Sequence, residues 1–199
     1  TSGMRLGEAL SLTKKDIYMN ENPVRINIQG ETTKTKGQRE SYISSEAVEK
    51  LKPILDKVTD ENERFFMAIK SKDLHYNVIN EDRVFAYLRE KLGMTEQYGQ
   101  SGRYKVRIHG FRSYFHTKAS QVHSTEYANS LDGHIGYLEQ YYTLTPERRA
   151  EMYKELEPEL LIESVKVQGD KNKDKIINAL QERMKYMEDV MFRDKLLAK

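Results

Sequence analysis

The chain has 199 residues, 32% charged and 38% hydrophobic, with a formal net charge of +2 and no cysteine. That length suits one full domain, or one domain with an appendage, and the missing cysteines exclude disulfides, thiolate nucleophiles and thiolate metal sites. No apolar run approaches the roughly 20 residues of a membrane-spanning helix, and at near-neutral charge any attraction for polyanions must come from local basic patches.

The opening "TSGMRLGEALSL" has Met4, Leu6, Ala9, Leu10 and Leu12 at helical spacing, so a helix is expected over 3–12 with Thr1 or Ser2 as its cap. It has no lead-in, and the chain is read as a fragment whose N-terminal domain has been cut away. Residues 16–22 read as a turn. "VRINIQG" (24–30) alternates apolar and polar residues, and "RESYISS" (39–45) alternates less regularly around Tyr42. Joined by the polar "ETTKTKGQ", they predict an antiparallel β-hairpin with a lysine-rich tip.

From Ser45 the period turns helical through Val48, Leu51, Ile54 and Leu55, with Ser44 or Ser45 as cap and Pro53 the residue in tension with a helix. Further helices are expected over 62–70 and 80–92, the second closed by Gly93. Residues 94–105 read as a loop, and helices resume at 109–121, 124–131, 135–142 and 146–157. The fold class is therefore mainly α with a small antiparallel β-sheet (α+β). A first domain is placed at 1–165, a polar linker at 166–175 and a C-terminal helix at 176–199. In that helix Ile177, Leu180, Met184, Met187 and Met191 recur at spacings of three and four, a narrow seam expected to dock on the body or on another protomer.

Five groups carry chemistry. Arg5 is followed one turn later by Glu8; Lys34 and Lys36 sit at the hairpin tip; His109 and Arg112 fall in "RIHGFRSYFH" (107–116); His134 lies in "LDGHIGY"; and Tyr141 adjoins Tyr142. Taken singly each is ordinary: an exposed Arg–Glu pair contributes well under about 1 kcal/mol. "TKTKGQR" (33–39) and "GRYKVR" (102–107) add acid-free basic stretches, which make Lys36, Arg39, Arg103, Lys105 and Arg107 candidate phosphate contacts.

The order of the groups is less ordinary. "TSGMRLGEALSL", "TKTKGQRESYIS", "RIHGFRSYFHTKAS" and "LDGHIGYLEQYYTLTPERR" together resemble the catalytic domain of the tyrosine recombinase, or phage integrase, family over about residues 1–160. The form "GHIGYLEQYY" followed by an acidic helix is most similar to integrases of archaea and their viruses or plasmids. The resemblance implies the catalytic-domain fold of that family and a site-specific recombinase that cuts and rejoins DNA through a 3′-phosphotyrosine. It implies Arg5 and Arg112 as phosphate clamps, Lys34 (or Lys36) as proton donor to the departing 5′ oxygen, His109 as base or proton shuttle and His134 as a further phosphate contact. Glu8 would support Arg5. The nucleophile would be Tyr142 or Tyr141, eight and seven residues beyond His134, both short of the family's usual spacing, with Tyr137 a remoter alternative.

Physical chemistry asks for a similar set. Guanidinium forks grip non-bridging phosphate oxygens bidentately, and a phenol of pKa about 10 needs a proton acceptor before it attacks. No cofactor or metal is implied. The implied partners are double-stranded DNA with a specific site and further copies of the chain, as a tetramer on DNA, with no membrane; the implied setting is the host-cell cytoplasm at the nucleoid. The alternatives are a type IB topoisomerase-like nicking and closing activity, or an inactive DNA-binding integrase fragment.

Overall fold

The computed structural model describes residues 1–33, 37–66, 72–134 and 144–162. The expected helix 135–142, the linker 166–175, the helix 176–199 and the residues Lys34, Lys36, Tyr137, Tyr141 and Tyr142 lie outside them. Thr1–Leu160 makes one compact unit, and Leu161–Lys199 is assigned to a second.

The first unit is mainly helical, with one small sheet. After α1 (Leu6–Ser11) come β1 (Ile17–Tyr18), β2 (Val24–Ile28) and β3 (Arg39–Ile43), antiparallel in the order β1-β2-β3. The hairpin is the expected one, with Val24 opposite Ile43 and Ile28 opposite Arg39. β1 occupies what reads as a turn: Ile17 pairs Ile26 and Tyr18 pairs Arg25, whose guanidinium carbon lies 3.7 Å from the Tyr18 ring centroid. Two residues are too few to show a period.

Among the described residues five α-helices follow: α2 (Ser45–Leu55), α3 (Leu74–Lys91), α4 (Ile108–Val122), α5 (Thr125–Asp132) and α6 (Pro146–Leu156). Their starts follow capping chemistry. Ser44 accepts from the Ala47 N–H, Ser124 from Tyr127, and Thr145 from Arg148 with Pro146 in the first turn. α3 begins at Leu74, earlier than expected, because the Asp73 side chain accepts the His75 N–H at 2.9 Å. The helix expected over 62–70 does not form across 62–66. That stretch is non-helical; Arg64 bridges to Thr13 and Phe65 packs on the sheet's core.

α1 also starts late. Residues 1–5 run without helix and are tied to distant elements: the Ser2 carbonyl accepts from Ser41 Oγ and the Thr1 carbonyl from the Tyr153 hydroxyl, both at 2.9 Å. The N-cap is then Arg5, whose N–H donates to Glu8 Oε2 at 2.8 Å.

Two apolar clusters hold the unit. Leu12, Ile17, Ile26, Ile43 and Leu55 fill the space between the sheet and α2. The other cluster joins β3 to α4, α5 and α6 through Tyr42, Phe115, Ala119, Tyr127, Leu131, Tyr153 and Leu156. Its buried tyrosines keep their hydroxyls satisfied: Tyr127 donates to the Arg149 carbonyl at 3.1 Å and Tyr153 to Thr1. This second core fixes α4 and α5 against β3 and the N-terminal segment, the elements that carry the candidate groups.

Candidate functional site

Glu8 is the first centre of the site. It is 1% exposed, and its carboxylate takes four donors: the Arg5 N–H at 2.8 Å, Arg5 Nη1 at 2.9 Å, Arg39 Nη1 at 3.1 Å and Arg39 Nη2 at 2.6 Å. Burial alone would push this carboxyl up; the hydrogen bonds from Arg39 and Arg5, with the Arg39 charge, outweigh it and hold the pKa below the ordinary value. Arg5, with its side chain 29% exposed, is thereby fixed at the mouth of α1.

The structure gives Arg39 a different place from the DNA-facing one expected. Its side chain is 9% exposed, and besides the fork on Glu8 its Nε donates to the Leu131 carbonyl at 3.0 Å. A buried carboxylate needs a counter-charge, and Arg39 supplies it from β3. Gly133 closes α5 at φ +75° beside this fork, where an added Cβ would stand 2.9 Å from three guanidinium atoms of Arg39. Gly133→Ala is therefore expected to cost about 1–3 kcal/mol, from left-handed strain and displacement of Arg39. A lower urea midpoint at unchanged slope would show it.

Asp132 is the second centre. It is fully buried at the end of α5 and faces three basic side chains. His116 Nδ1 lies 2.9 Å from Oδ2, His134 Nδ1 lies 2.9 and 3.0 Å from the two oxygens, and Arg112 Nη2 lies 3.4 Å from Oδ1. The His134 backbone N–H adds a bond at 3.1 Å.

Arg112, 3% exposed, also donates through Nη1 to the Gly3 carbonyl at 2.6 Å, while its Nε is buried with no hydrogen-bond partner among the described residues. Gly3 presents that carbonyl at φ +66°, with Phe115 packed where a side chain would stand. Burial pulls Arg112 below its ordinary pKa; Asp132 opposes this, and the like charge of Arg5 reinforces it. The group remains a cation at neutral pH.

His109 stands one turn ahead of Arg112 on α4 and is exposed. Its pKa is lowered, first by partial burial and then by the charges of Arg107, Arg112, His134 and Arg5. The imidazole is neutral at pH 7, with a lone pair free to take a proton. Arg5, Arg112 and His134 therefore lie close enough to His109 for their charges to act on it, and Arg112 Nη2 is 3.4 Å from His134 Nδ1. Arg103, Lys105 and Arg107 are exposed; Arg107 precedes α4, and Lys105 is paired with Glu96.

Asp132 and His116, the latter within the polar stretch 107–116, receive no role from the sequence alone. The signal was a carboxylate two residues before His134 and a histidine one helical turn beyond Arg112. Among the described residues, His116, Asp132 and His134 also form a group whose ligand atoms lie within 4.8 Å of one another, a spacing open to a metal ion. The bonded distances are those of hydrogen bonds, however, and the Arg112 guanidinium is 3.4 Å from both Asp132 Oδ1 and His134 Nδ1. A cation already stands where the metal's charge would go, so these residues do not fit a metal without rearrangement.

The family model described as "Phage integrase family" matches residues 1–134. The chain belongs to that family. As an integrase-family protein it is one of the tyrosine recombinases, whose members carry out site-specific recombination on DNA. The match ends at His134, so it takes in Arg5, Glu8, His109 and Arg112, and Tyr141 and Tyr142 follow it. No curated protein and no solved structure matches the integrase chain. No described helix is long and apolar enough to cross a membrane.

Proposed function

We propose that this chain is the strand-transferring part of a site-specific recombinase, cutting and rejoining DNA through a 3′-phosphotyrosine. The observation that carries the reading is the convergence of Arg5, His109, Arg112 and His134, separated by up to 129 positions in the chain. In the proposed step the phenol oxygen of Tyr142 or Tyr141 attacks a backbone phosphorus while its proton passes to neutral His109. The bond from phosphorus to the 5′ oxygen breaks, and that oxygen takes a proton from Lys34 or Lys36. Arg5 and Arg112 stabilise the charge that builds on the non-bridging oxygens. The phosphodiester energy is held in the tyrosyl link, so the reverse attack by another strand's 5′ hydroxyl reseals DNA without a nucleotide cofactor. Exchange between two duplexes calls for four such sites, hence a tetramer on DNA, working with the DNA in the cytoplasm of an archaeal or related host.

A nicked suicide duplex, which loses the short 5′ product, tests this directly. The full chain is expected to form a covalent adduct on tryptic peptides containing Tyr141 and Tyr142, with one single Tyr→Phe variant losing it. An adduct of undiminished yield in the double Tyr141→Phe/Tyr142→Phe variant overturns the assignment. A resealed product without exchange between duplexes would move the reading to topoisomerase-like nicking and closing.

A further inference from the structure

We infer that Asp132 is a positioning residue, its buried carboxylate holding His134 by Nδ1 and anchoring Arg112 and His116 on the same two oxygens. The inference deepens, and its catalytic part rests on, the recombinase reading. It starts from an asymmetry in exposure: Asp132 is fully buried and Arg112 is 3% exposed, whereas the His134 side chain is 52% exposed. A ring so exposed has little packing to hold it, yet its Nδ1 sits within 3.0 Å of both carboxylate oxygens.

A carboxylate only accepts, so a hydrogen bond there requires a proton on Nδ1. With Nδ1 so engaged, the 3.4 Å approach of Arg112 Nη2 to that nitrogen finds no lone pair to accept it, and Asp132 Oδ1, also at 3.4 Å, holds Arg112 as its ion-pair partner. The outward edge of His134 is then Nε2. A phosphate oxygen accepts from Nε2 once that nitrogen too is protonated, and the carboxylate behind the ring is the counter-charge of the imidazolium so formed. The same division of labour lets a buried aspartate orient a histidine in serine hydrolases.

His116 completes the arrangement. Its Nδ1 donates to Oδ2 at 2.9 Å and its ring meets His134 edge to face, centroids 5.4 Å apart. It therefore restrains the carboxylate that restrains His134. Asp132 itself is placed by α5 and by the left-handed Gly133 that ends it. One buried side chain thus sets two proposed phosphate contacts relative to each other, a task in which a misplacement of about 1 Å costs about 10²-fold in rate.

The direct measurement is a long-range proton–nitrogen-15 spectrum of the histidine rings of the full chain, without DNA, at about pH 8.5, well above the ordinary histidine range. The chain has five histidines, so His116→Gln and His134→Gln spectra assign the two of interest. Both rings are expected to carry a proton on Nδ1, and Asp132→Asn is expected to return His134 to the mixed or Nε2–H form. A wild-type His134 with its proton on Nε2 alone, or averaging between the nitrogens, overturns the inference without any variant having to fold.

In adduct formation, Asp132→Asn is expected to lower the single-turnover rate about 10–100-fold, with the DNA concentration for half-saturation within about twofold. An unchanged rate in folded Asp132→Asn overturns the catalytic part. The spectra need no DNA, so intact tautomers without any wild-type adduct would support the placement by Asp132 and overturn the recombinase reading instead.

Discussion

Arg112→Lys is expected to slow adduct formation on a nicked duplex by about 10²–10³-fold, the scale set by removing one preorganised donor from a developing oxyanion. Charge is kept in this substitution, so the effect isolates geometry. Arg112 serves several directions at once: Nη1 is committed to the Gly3 carbonyl at 2.6 Å and Nη2 faces Asp132 at 3.4 Å. A lysine ammonium concentrates its three donors at one point. Placed on the Gly3 carbonyl it abandons Asp132 and the phosphate; drawn to Asp132 it leaves the carbonyl buried and unpaired. Non-specific affinity for duplex DNA, which depends on the count of cations near the backbone, is expected to stay within a few-fold. Single-turnover adduct formation, normalised to the folded fraction from circular dichroism, checks the claim. A wild-type rate in Arg112→Lys would remove Arg112 from the reaction.

What could be read without coordinates follows from how local each signal is. α6 was legible because Thr145, Pro146 and the apolar spacing of Met152, Tyr153 and Leu156 all lie within one helix. The β2–β3 hairpin was legible from alternation, and the order of Arg5, His109, Arg112 and His134 could be read by spacing along the chain. Tertiary contacts hid the rest. Thr1 and Ser2 are good cap residues by type, yet the carbonyls of both are taken by Tyr153 and Ser41, so the helix starts only at Leu6. Phe65 lies in the stretch read as a helix over 62–70 but serves a loop that packs on the sheet core. Arg39 read as a basic residue of a phosphate-binding stretch. Its true neighbours are Glu8, 31 positions away, and Leu131, 92 positions away, and no local pattern announces such pairings. Asp132 had only its place two residues before His134 to mark it; its importance lies in the three basic side chains that face its buried carboxylate.

Glu8→Gln is expected to lower stability at pH 7 by about 3 kcal/mol, the range for breaking one partner out of a buried ionic network. Glutamine keeps the shape but offers one acceptor oxygen where four donors converge, and its amide nitrogen points an N–H at one of them. Arg39, 9% exposed, then loses its counter-charge, and Arg5 loses both its side-chain partner and the acceptor for its backbone N–H. The pH dependence separates this from a packing defect. The folded carboxyl sits below its ordinary value, so across the carboxyl range the unfolded chain binds the proton more readily than the folded one. Its contribution is fully present above the unfolded pKa of 4.5 and is lost as pH falls through the lower folded value. Urea midpoints of wild type and Glu8→Gln are therefore expected to differ most near pH 7 and to converge as pH falls below the ordinary carboxyl value and through the lower folded one. A gap that stays constant with pH would assign the loss to altered packing and deny Glu8 its role as the charge that holds Arg5 and Arg39.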